Sequence, residues 1–585
     1  MQAFENIRTP LRGTNLIEAS AGTGKTYTIA GLYLRLLLEK HLSVDQILVV
    51  TFSKAATEEL KDRIRKKLSD SQKALQSGRS DDPIIIPVLE KKNHRMRAER
   101  LVRNALADFD QAAIFTIHGF CQRILHDYAF ETGNLFDTTL ETDQTGLNLE
   151  IAEDFWRKHF YTALPELVAY AMPKMKGPEY FADLISQIHS PHVSVIPRLD
   201  APEFTEIDSY RHHLELLRAN WPKSRSEVRE CLKDHGLSAT VYGSLKPDPF
   251  YPDRTRRDLK IKALIKAMDR LLGPQNVGFP PFKNFVNFTV AKLKTSTKKN
   301  HIPPTHPFFK TCDTLYRLAG ELKKKFDIYL TFLKTESGEY ARYEAAQRKK
   351  EHNIQFFEDL LTKVKAALQG QTGNKLVRSI RKRYKAALVD EFQDTDPIQY
   401  EIFSKLFDSK KTILFLIGDP KQAIYSFRGA DIFSYIEAAR NADSKYTLID
   451  NWRTKPDLIR AVNTLFSNVK EPFVFSDIHF TPGRSGFLSK SEAKTDAAPF
   501  RLWYLSAQDH GKLNKKDAVS VIASAVADEV ARLVLTAKRF YPQDIAILVR
   551  TNRQAQIMKN HLQLNEIPAV IFNAGNVLES REATS

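Results

Sequence analysis

Residues 18–26 read Glu-Ala-Ser-Ala-Gly-Thr-Gly-Lys-Thr, and residues 388–396 read Leu-Val-Asp-Glu-Phe-Gln-Asp-Thr-Asp. The first stretch follows a short apolar run, Asn15–Ala19, and leads into a helix-patterned one, Lys25–Lys40. That order predicts a strand, a turn over Gly22–Gly24 and a helix, which is the setting of a phosphate-binding loop. Backbone N–H groups and a helix N-terminus in such a loop face an anion. Ala19, Ser20, Ala21, Gly22, Thr23, Gly24, Lys25 and Thr26 are therefore candidates to cradle ATP. Lys25 would reach its β- and γ-phosphates, and Thr26 would ligate Mg²⁺. Ala19 stands where the usual pattern has a glycine.

In the second stretch the apolar run Ala386–Val389 ends in Asp390-Glu391. An aspartate there can hold the magnesium, and the adjacent glutamate can polarise a water. Phosphoryl transfer needs positioning and charge neutralisation more than covalent chemistry. Far more chain separates Lys25 from Asp390 than one nucleotide-binding core requires, so a large insertion is expected.

A third stretch, Leu416–Asp431, reads Leu-Ile-Gly-Asp-Pro-Lys-Gln-Ala-Ile-Tyr-Ser-Phe-Arg-Gly-Ala-Asp and follows another apolar run, Thr412–Ile417. Its polar residues would lie at the carboxyl edge of a parallel sheet, where such sheets bind ligands. Gln422 could sense a γ-phosphate, while Tyr425, Phe427 and Arg428 offer rings and a cation to nucleic-acid bases. Spacing alone leaves Tyr425 and Phe427 equally open to a core role.

Working outward, Gln46–Phe52 reads as a second strand and Ala55–Leu68 as a helix. Short buried strands alternating with helices imply a parallel α/β sheet. Between about 130 and 345 the pattern becomes amphipathic and helical, over Leu147–Thr162, Leu259–Leu272 and Phe308–Thr335, with breaks at Pro280–Pro281 and Pro303–Pro304. Beyond Asn451 strands are expected over Phe500–Tyr504, Asp544–Val549 and Ala569–Phe572, and helices over Ala518–Thr536 and Gln554–Gln563.

Composition narrows the partners. The chain of 585 residues carries a formal charge of +17, which points to a polyanion. The basic residues cluster at Lys91–Arg103, Arg254–Lys262, Lys292–Lys299, Lys323–Lys325 and Lys375–Lys385. One cluster is ordinarily a solvated helix face; five beside a nucleotide loop favour nucleic acid. Cys121, Cys231 and Cys312 show no ligand spacing, which argues against a zinc site or a disulfide framework. No apolar run approaches the ~20 residues that span a bilayer, and the first residues lack a signal-peptide pattern. A soluble, cytoplasmic protein with no membrane partner is expected.

Seven segments together resemble the superfamily-one DNA helicases of the UvrD/Rep type, and within them the RecB branch, the beta subunits of exodeoxyribonuclease V. They are Ile17–Thr26, Val49–Arg65, Ile114–Leu125, Val389–Pro397, Leu416–Asp431, Tyr446–Arg453 and Ile545–Arg550. The resemblance implies a RecA-like motor domain in two parts, 1–129 and 346–450, around a helical inserted domain, 130–345. Part of a second RecA-like domain, 451–585, would follow. It also implies that Phe52, Thr116 and His118 contact single-stranded DNA and that Arg453 reaches the γ-phosphate from the second domain. The catalytic set would be Lys25, Asp390, Glu391, Gln422 and Arg453.

The implied activity is ATP-driven 3′→5′ movement on single-stranded DNA within a double-strand-break repair complex. Its partners would be duplex-end DNA and RecC-like and RecD-like subunits. The family's later helicase motifs and its nuclease domain are not found before Arg581–Ser585. The chain thus reads as the N-terminal portion of a longer protein, expected to bind ATP–Mg²⁺ and DNA, to hydrolyse ATP weakly at best and not to unwind alone. Only Gln2 precedes the phosphate loop as a base-reading glutamine, which leaves adenine selection open. A stand-alone UvrD-type repair helicase and a non-catalytic DNA- and ATP-binding fragment are the alternatives. Glu18-Ala-Ser-Ala, Asp419-Pro-Lys-Gln422 and Asp390-Glu-Phe-Gln-Asp-Thr-Asp-Pro397 favour the RecB branch over the first of these.

Overall fold

A computed structural model of the chain describes residues 1–572 except 91, 135–137, 189–192, 197, 408–411, 488–497 and 507–513. Lys91, the side chain of Arg428 and the segment 581–585 lie outside the described residues. The chain forms two units, Met1–Ser489 and Lys490–Ser585.

The first unit is built on a seven-stranded sheet. Its strands are β1 (Gln2–Ala3), β2 (Gly13–Ala19), β3 (Ile47–Thr51), β4 (Ile114–Thr116), β7 (Ala386–Val389), β8 (Ile413–Gly418) and β9 (Ser444–Leu448). Two short strands outside this sheet, β5 (Thr139–Glu141) and β6 (Ile354–Phe356), fall between β4 and β7 in the chain. The order across the sheet is β1-β9-β2-β8-β7-β3-β4, and every neighbouring pair is parallel.

The four central strands are apolar on both faces, and alternate residues feed two separate cores. Ile17, Val49, Leu388 and Phe415 join the core under the helices Lys25–Glu39 and Lys54–Ser77. Leu16, Val50, Val389 and Leu416 join the core under Ile117–Asp127, Phe357–Gln369 and Pro397–Phe407. Period-two alternation with both faces covered is why these strands read as continuous apolar runs. The result is a three-layer α/β/α arrangement.

Between β5 and β6 the chain is mostly helical. The helices Thr145–Phe160, Glu179–Ile188, Ile207–Lys233, Arg256–Leu271 and Pro307–Glu351 surround a third core that includes Phe155, Phe181, Leu214, Leu264 and Leu322. The last of them has 45 residues and is about 67 Å long at 1.5 Å per residue. The chain leaves through β5 and returns through β6, which pair in parallel, Thr139 against Ile354 and Glu141 against Phe356.

Arg257 shows that not every basic residue serves an external partner. It is 1% exposed, and its guanidinium donates to the carbonyls of Gly243 at 3.0 Å, Leu237 at 2.7 Å, Lys233 at 3.3 Å and Asp234. One side chain ties together four carbonyls, of which that of Asp234 also accepts the Leu237 N–H at 3.1 Å. Arg257→Ala is expected to destabilise this helical segment by about 3 kcal/mol or more, through stranded carbonyls and a cavity. Hydrogen exchange should accelerate across Ile207–Lys233 and Arg256–Leu271 but not in the sheet; unchanged exchange there would contradict this account.

The second unit differs from the sequence expectation. Helices Lys515–Ala531 and Asn552–Leu564 form around a small core of Ala523, Ala527, Val530, Met558, Leu562 and Ile567. The strands expected at Phe500–Tyr504, Asp544–Val549 and Ala569–Phe572 do not form. A strand needs a neighbour for its backbone N–H and C=O groups, and none is present for them among the described residues. Their apolar side chains consequently stand in solvent: Tyr504 is 91% exposed, Leu548 95% and Val570 94%.

Candidate functional site

Because the sheet is parallel, the ends of β2, β3, β7, β8 and β9 share one edge, and the sequence motifs follow those ends directly. After β2 the chain turns through Gly22 at φ 80° and Gly24 at φ 88°, a region that side chains with a Cβ adopt at a cost. Gly24 precedes the first residue of the helix Lys25–Glu39. The Thr23 hydroxyl donates to the Ser20 carbonyl at 2.7 Å, which closes the loop on itself.

After β7, Asp390 accepts the Glu391 N–H at 3.0 Å. That bond accompanies a left-handed backbone at Glu391, φ 50°, which costs on the order of 1–3 kcal/mol at such a residue. The turn brings Glu391 Oε2 to 2.5 Å from Lys25 Nζ. The phosphate-loop lysine and the candidate water-polarising carboxylate thus meet across two strand ends.

Sequence reasoning missed the residue that braces this pair. Gln393 is buried; its amide donates to Glu391 Oε2 at 2.8 Å, and its carbonyl accepts the Asp419 N–H at 2.9 Å. The Asp419 carboxylate in turn accepts from Gln422 Nε2 at 2.7 Å and from Lys421 Nζ at 2.7 Å. Lys421 also pairs with Glu18 at the end of β2. A continuous polar chain therefore joins Lys25, Glu391, Gln393, Asp419 and Gln422. Gln393 sits beside Phe392 in the strand-end motif Asp-Glu-Phe-Gln, and nothing in that short pattern singles it out.

The electrostatics suit a cation and an anion. Burial, reinforced by the charge of Glu391, pushes the Asp390 carboxyl up to about 7. The same two causes push Asp394 up to about 6, and Asp394 Oδ1 is buried with no hydrogen-bond partner. Two buried carboxyls beside a third disfavour ionisation unless a positive ion joins them. These residues fit a hard cation such as Mg²⁺, which takes oxygen ligands and keeps several waters. Burial tends to lower the Lys421 pKa, but Asp419 and Glu18 outweigh it and hold the ammonium charged.

The candidate nucleic-acid contacts divide. Phe52, directly after β3, stacks on Tyr425 with centroids 5.8 Å apart and planes at 19°. Phe427 lies 5.9 Å from Tyr425 and is 76% exposed, so it is not a core residue. Thr116 caps the helix Ile117–Asp127, its hydroxyl accepting the Gly119 N–H at 3.0 Å. His118 is half-buried and edge-on to Phe357 at 5.8 Å. Burial lowers its pKa against the opposing pull of Asp396. Arg453 lies with its Cβ against Gly22: a methyl group added there would come within 2.8 Å.

A parallel three-layer sheet with a glycine-turn loop, an Asp-Glu strand end and an exposed aromatic ledge on one edge is the arrangement of the helicase class. The chain belongs to the UvrD/Rep helicase family, whose UvrD/REP helicase N-terminal domain matches residues 2–443. It is 33% identical to the RecBCD enzyme subunit RecB of Escherichia coli, over all of this chain and 50% of that one. The same subunit of Haemophilus influenzae is 32% identical over 97% of this chain and 50% of its own length. That of Mycobacterium tuberculosis is 26% identical over 97% and 41%. The chain spans about half the length of these curated relatives. Among the described residues, no helix is long and apolar enough to cross a membrane.

Proposed function

We propose that this chain is the ATP-driven part of a DNA helicase subunit acting in a RecBCD-like repair and recombination complex. It would move 3′→5′ on single-stranded DNA in the cytoplasm, with RecC-like and RecD-like subunits and duplex-end DNA as partners. The observation that carries the reading is the polar chain from Lys25 through Glu391 and Gln393 to Asp419 and Gln422. It ends three residues from Tyr425, so one strand edge serves both nucleotide and DNA. The boundaries 1–129, 130–345, 346–450 and 451–585 belong to this proposal.

In this mechanism the phosphate loop and Lys25 bind the triphosphate, and Thr26 and Asp390 would hold Mg²⁺, which supplies charge neutralisation. Glu391 orients a water in line with the γ-phosphate and accepts its proton. Gln422 and Arg453 contact the γ-phosphate, and Arg453 stabilises the charge that develops on it. Loss of that phosphate alters the hold on Gln422, and through the following turn on Tyr425 and Phe427. Glu18 and Lys421, which lie in two of the segments that favour the RecB branch over a stand-alone UvrD-type helicase, pair with each other.

The test is steady-state ATP hydrolysis with and without single-stranded DNA. Turnover stimulated by DNA is expected; turnover indifferent to DNA would remove the motor reading. Phe52→Ala and Tyr425→Ala should each weaken single-stranded DNA binding by about 1–3 kcal/mol, the value of one base stack. Fluorescence anisotropy with a labelled oligonucleotide measures it. Equal losses on blunt duplex lacking single-stranded ends would argue against stacking.

A further inference from the structure

Past β9 the chain enters a two-residue strand, Asp450–Asn451, paired in parallel with Arg484–Ser485. Here one side chain makes three hydrogen bonds in two directions. Asn451 Nδ2 donates to the Ala21 carbonyl of the phosphate loop at 2.9 Å. Its Oδ1 accepts the N–H groups of Arg453 at 2.9 Å and Thr454 at 2.8 Å. Alongside, the Trp452 N–H donates to the Gly22 carbonyl at 2.8 Å. The approach is close: a Cβ on Gly22 would lie 2.8 Å from Arg453 Cβ and 3.0 Å from the Asn451 amide.

A peptide unit is planar and trans, so its C=O and N–H point in opposite directions. Holding the Ala21 carbonyl toward Asn451 turns the Gly22 N–H the other way, leaving it available to an anion in the loop. The same amide group fixes the backbone at Arg453. Anything that rotates the Ala21–Gly22 peptide must therefore move Arg453 or break the Asn451 bridge.

We propose that Asn451 is a positioning residue that couples the Ala21–Gly22 peptide of the phosphate loop to the placement of Arg453. Nucleotide occupancy and Arg453 then shift as one unit. The inference rests on the reading of this edge as an ATP site. Asn451 touches no reacting atom; it acts through Arg453 and the loop.

A double-mutant cycle tests it. Asn451→Ala is expected to lower kcat by about 10- to 100-fold, the scale of a small misplacement of a reacting group. In an Arg453→Ala background the same substitution should change kcat little, because the two act through one geometry. Asn451→Asp keeps both acceptor contacts but loses the donor to Ala21. It should give a loss nearer to that of Asn451→Ala than to the unaltered chain. Fluorescence of Trp452, identified by Trp452→Phe, supplies a readout besides turnover. Its change on adding ATP should vanish in Asn451→Ala although a labelled ATP analogue still binds.

Multiplicative losses of kcat in the cycle, or a Trp452 signal that survives Asn451→Ala, would overturn the coupling. A fall in melting temperature with kcat unchanged would reduce Asn451 to a structural bond and overturn it equally. If the unaltered chain binds no ATP at all, the site reading fails and the coupling falls with it. Binding with multiplicative losses fails the coupling alone.

Discussion

Glu391→Gln is expected to abolish ATP turnover while leaving nucleotide binding intact. Loss of a positioned general base lowers rate by about 10²–10⁴-fold, and Glu391 is the carboxylate placed to serve. It leaves a left-handed turn after β7 with Lys25 Nζ at 2.5 Å and the Gln393 amide at 2.8 Å. Glutamine preserves shape and one acceptor oxygen, so Lys25 keeps a partner and the backbone has no new reason to move. What disappears is the capacity to take a proton from water. Single-turnover hydrolysis beside titration of a labelled ATP analogue separates the two effects. Parallel loss of binding and turnover would show instead that Glu391 serves only to hold Lys25.

Lys25→Ala is expected to cost both. The ammonium sits at the first residue of the helix Lys25–Glu39 with its side chain 14% exposed. It is thus the cation held where β- and γ-phosphates would lie against the loop. Removing such a charge-stabilising donor from a screened site lowers turnover by about 10²-fold or more. Nucleotide affinity should fall with it, because the same charge is felt in the ground state. DNA affinity without nucleotide should not change, since the Phe52–Tyr425 stack lies at the ends of other strands. Residual DNA-stimulated turnover near that of the unaltered chain would mean that hydrolysis occurs elsewhere.

Much of the sheet and its strand-end loops was legible because the pattern is local. A strand, a glycine turn and a helix are adjacent in the chain, so Gly22 to Thr26 could be placed without tertiary knowledge, as could Asp390 and Glu391. Gln393 and Asn451 were quoted within motifs yet given no role. Their importance lies in partners 26 and 430 positions away, Asp419 and Ala21, and no short pattern encodes that distance. The Thr116 hydroxyl, a strand contact by resemblance, also caps the helix that follows it.

The segments around Tyr504, Leu548 and Val570 carry real strand propensity, but propensity without a pairing neighbour makes no strand. A basic residue within a cluster can have an internal partner. Arg257 is a core clamp, and Arg383 binds Asp127 at 2.7 Å.

The parallel pairing of β5 with β6 bears on the order in which the chain can fold. β2 and β8 are neighbours in the sheet although Gly13 pairs with Ile413, and closing so long a loop from an unfolded chain has an entropic cost that rises with the logarithm of its length. The helical segment has its own core and local contacts, which form fast. Once it is folded, Thr139 and Ile354 stand side by side, and the effective loop shrinks by nearly everything between them. The segment thus acts as an intramolecular splint: with the detour stitched shut, the loop that the sheet must close is about halved, which lowers the closure cost by about 0.6 kcal/mol.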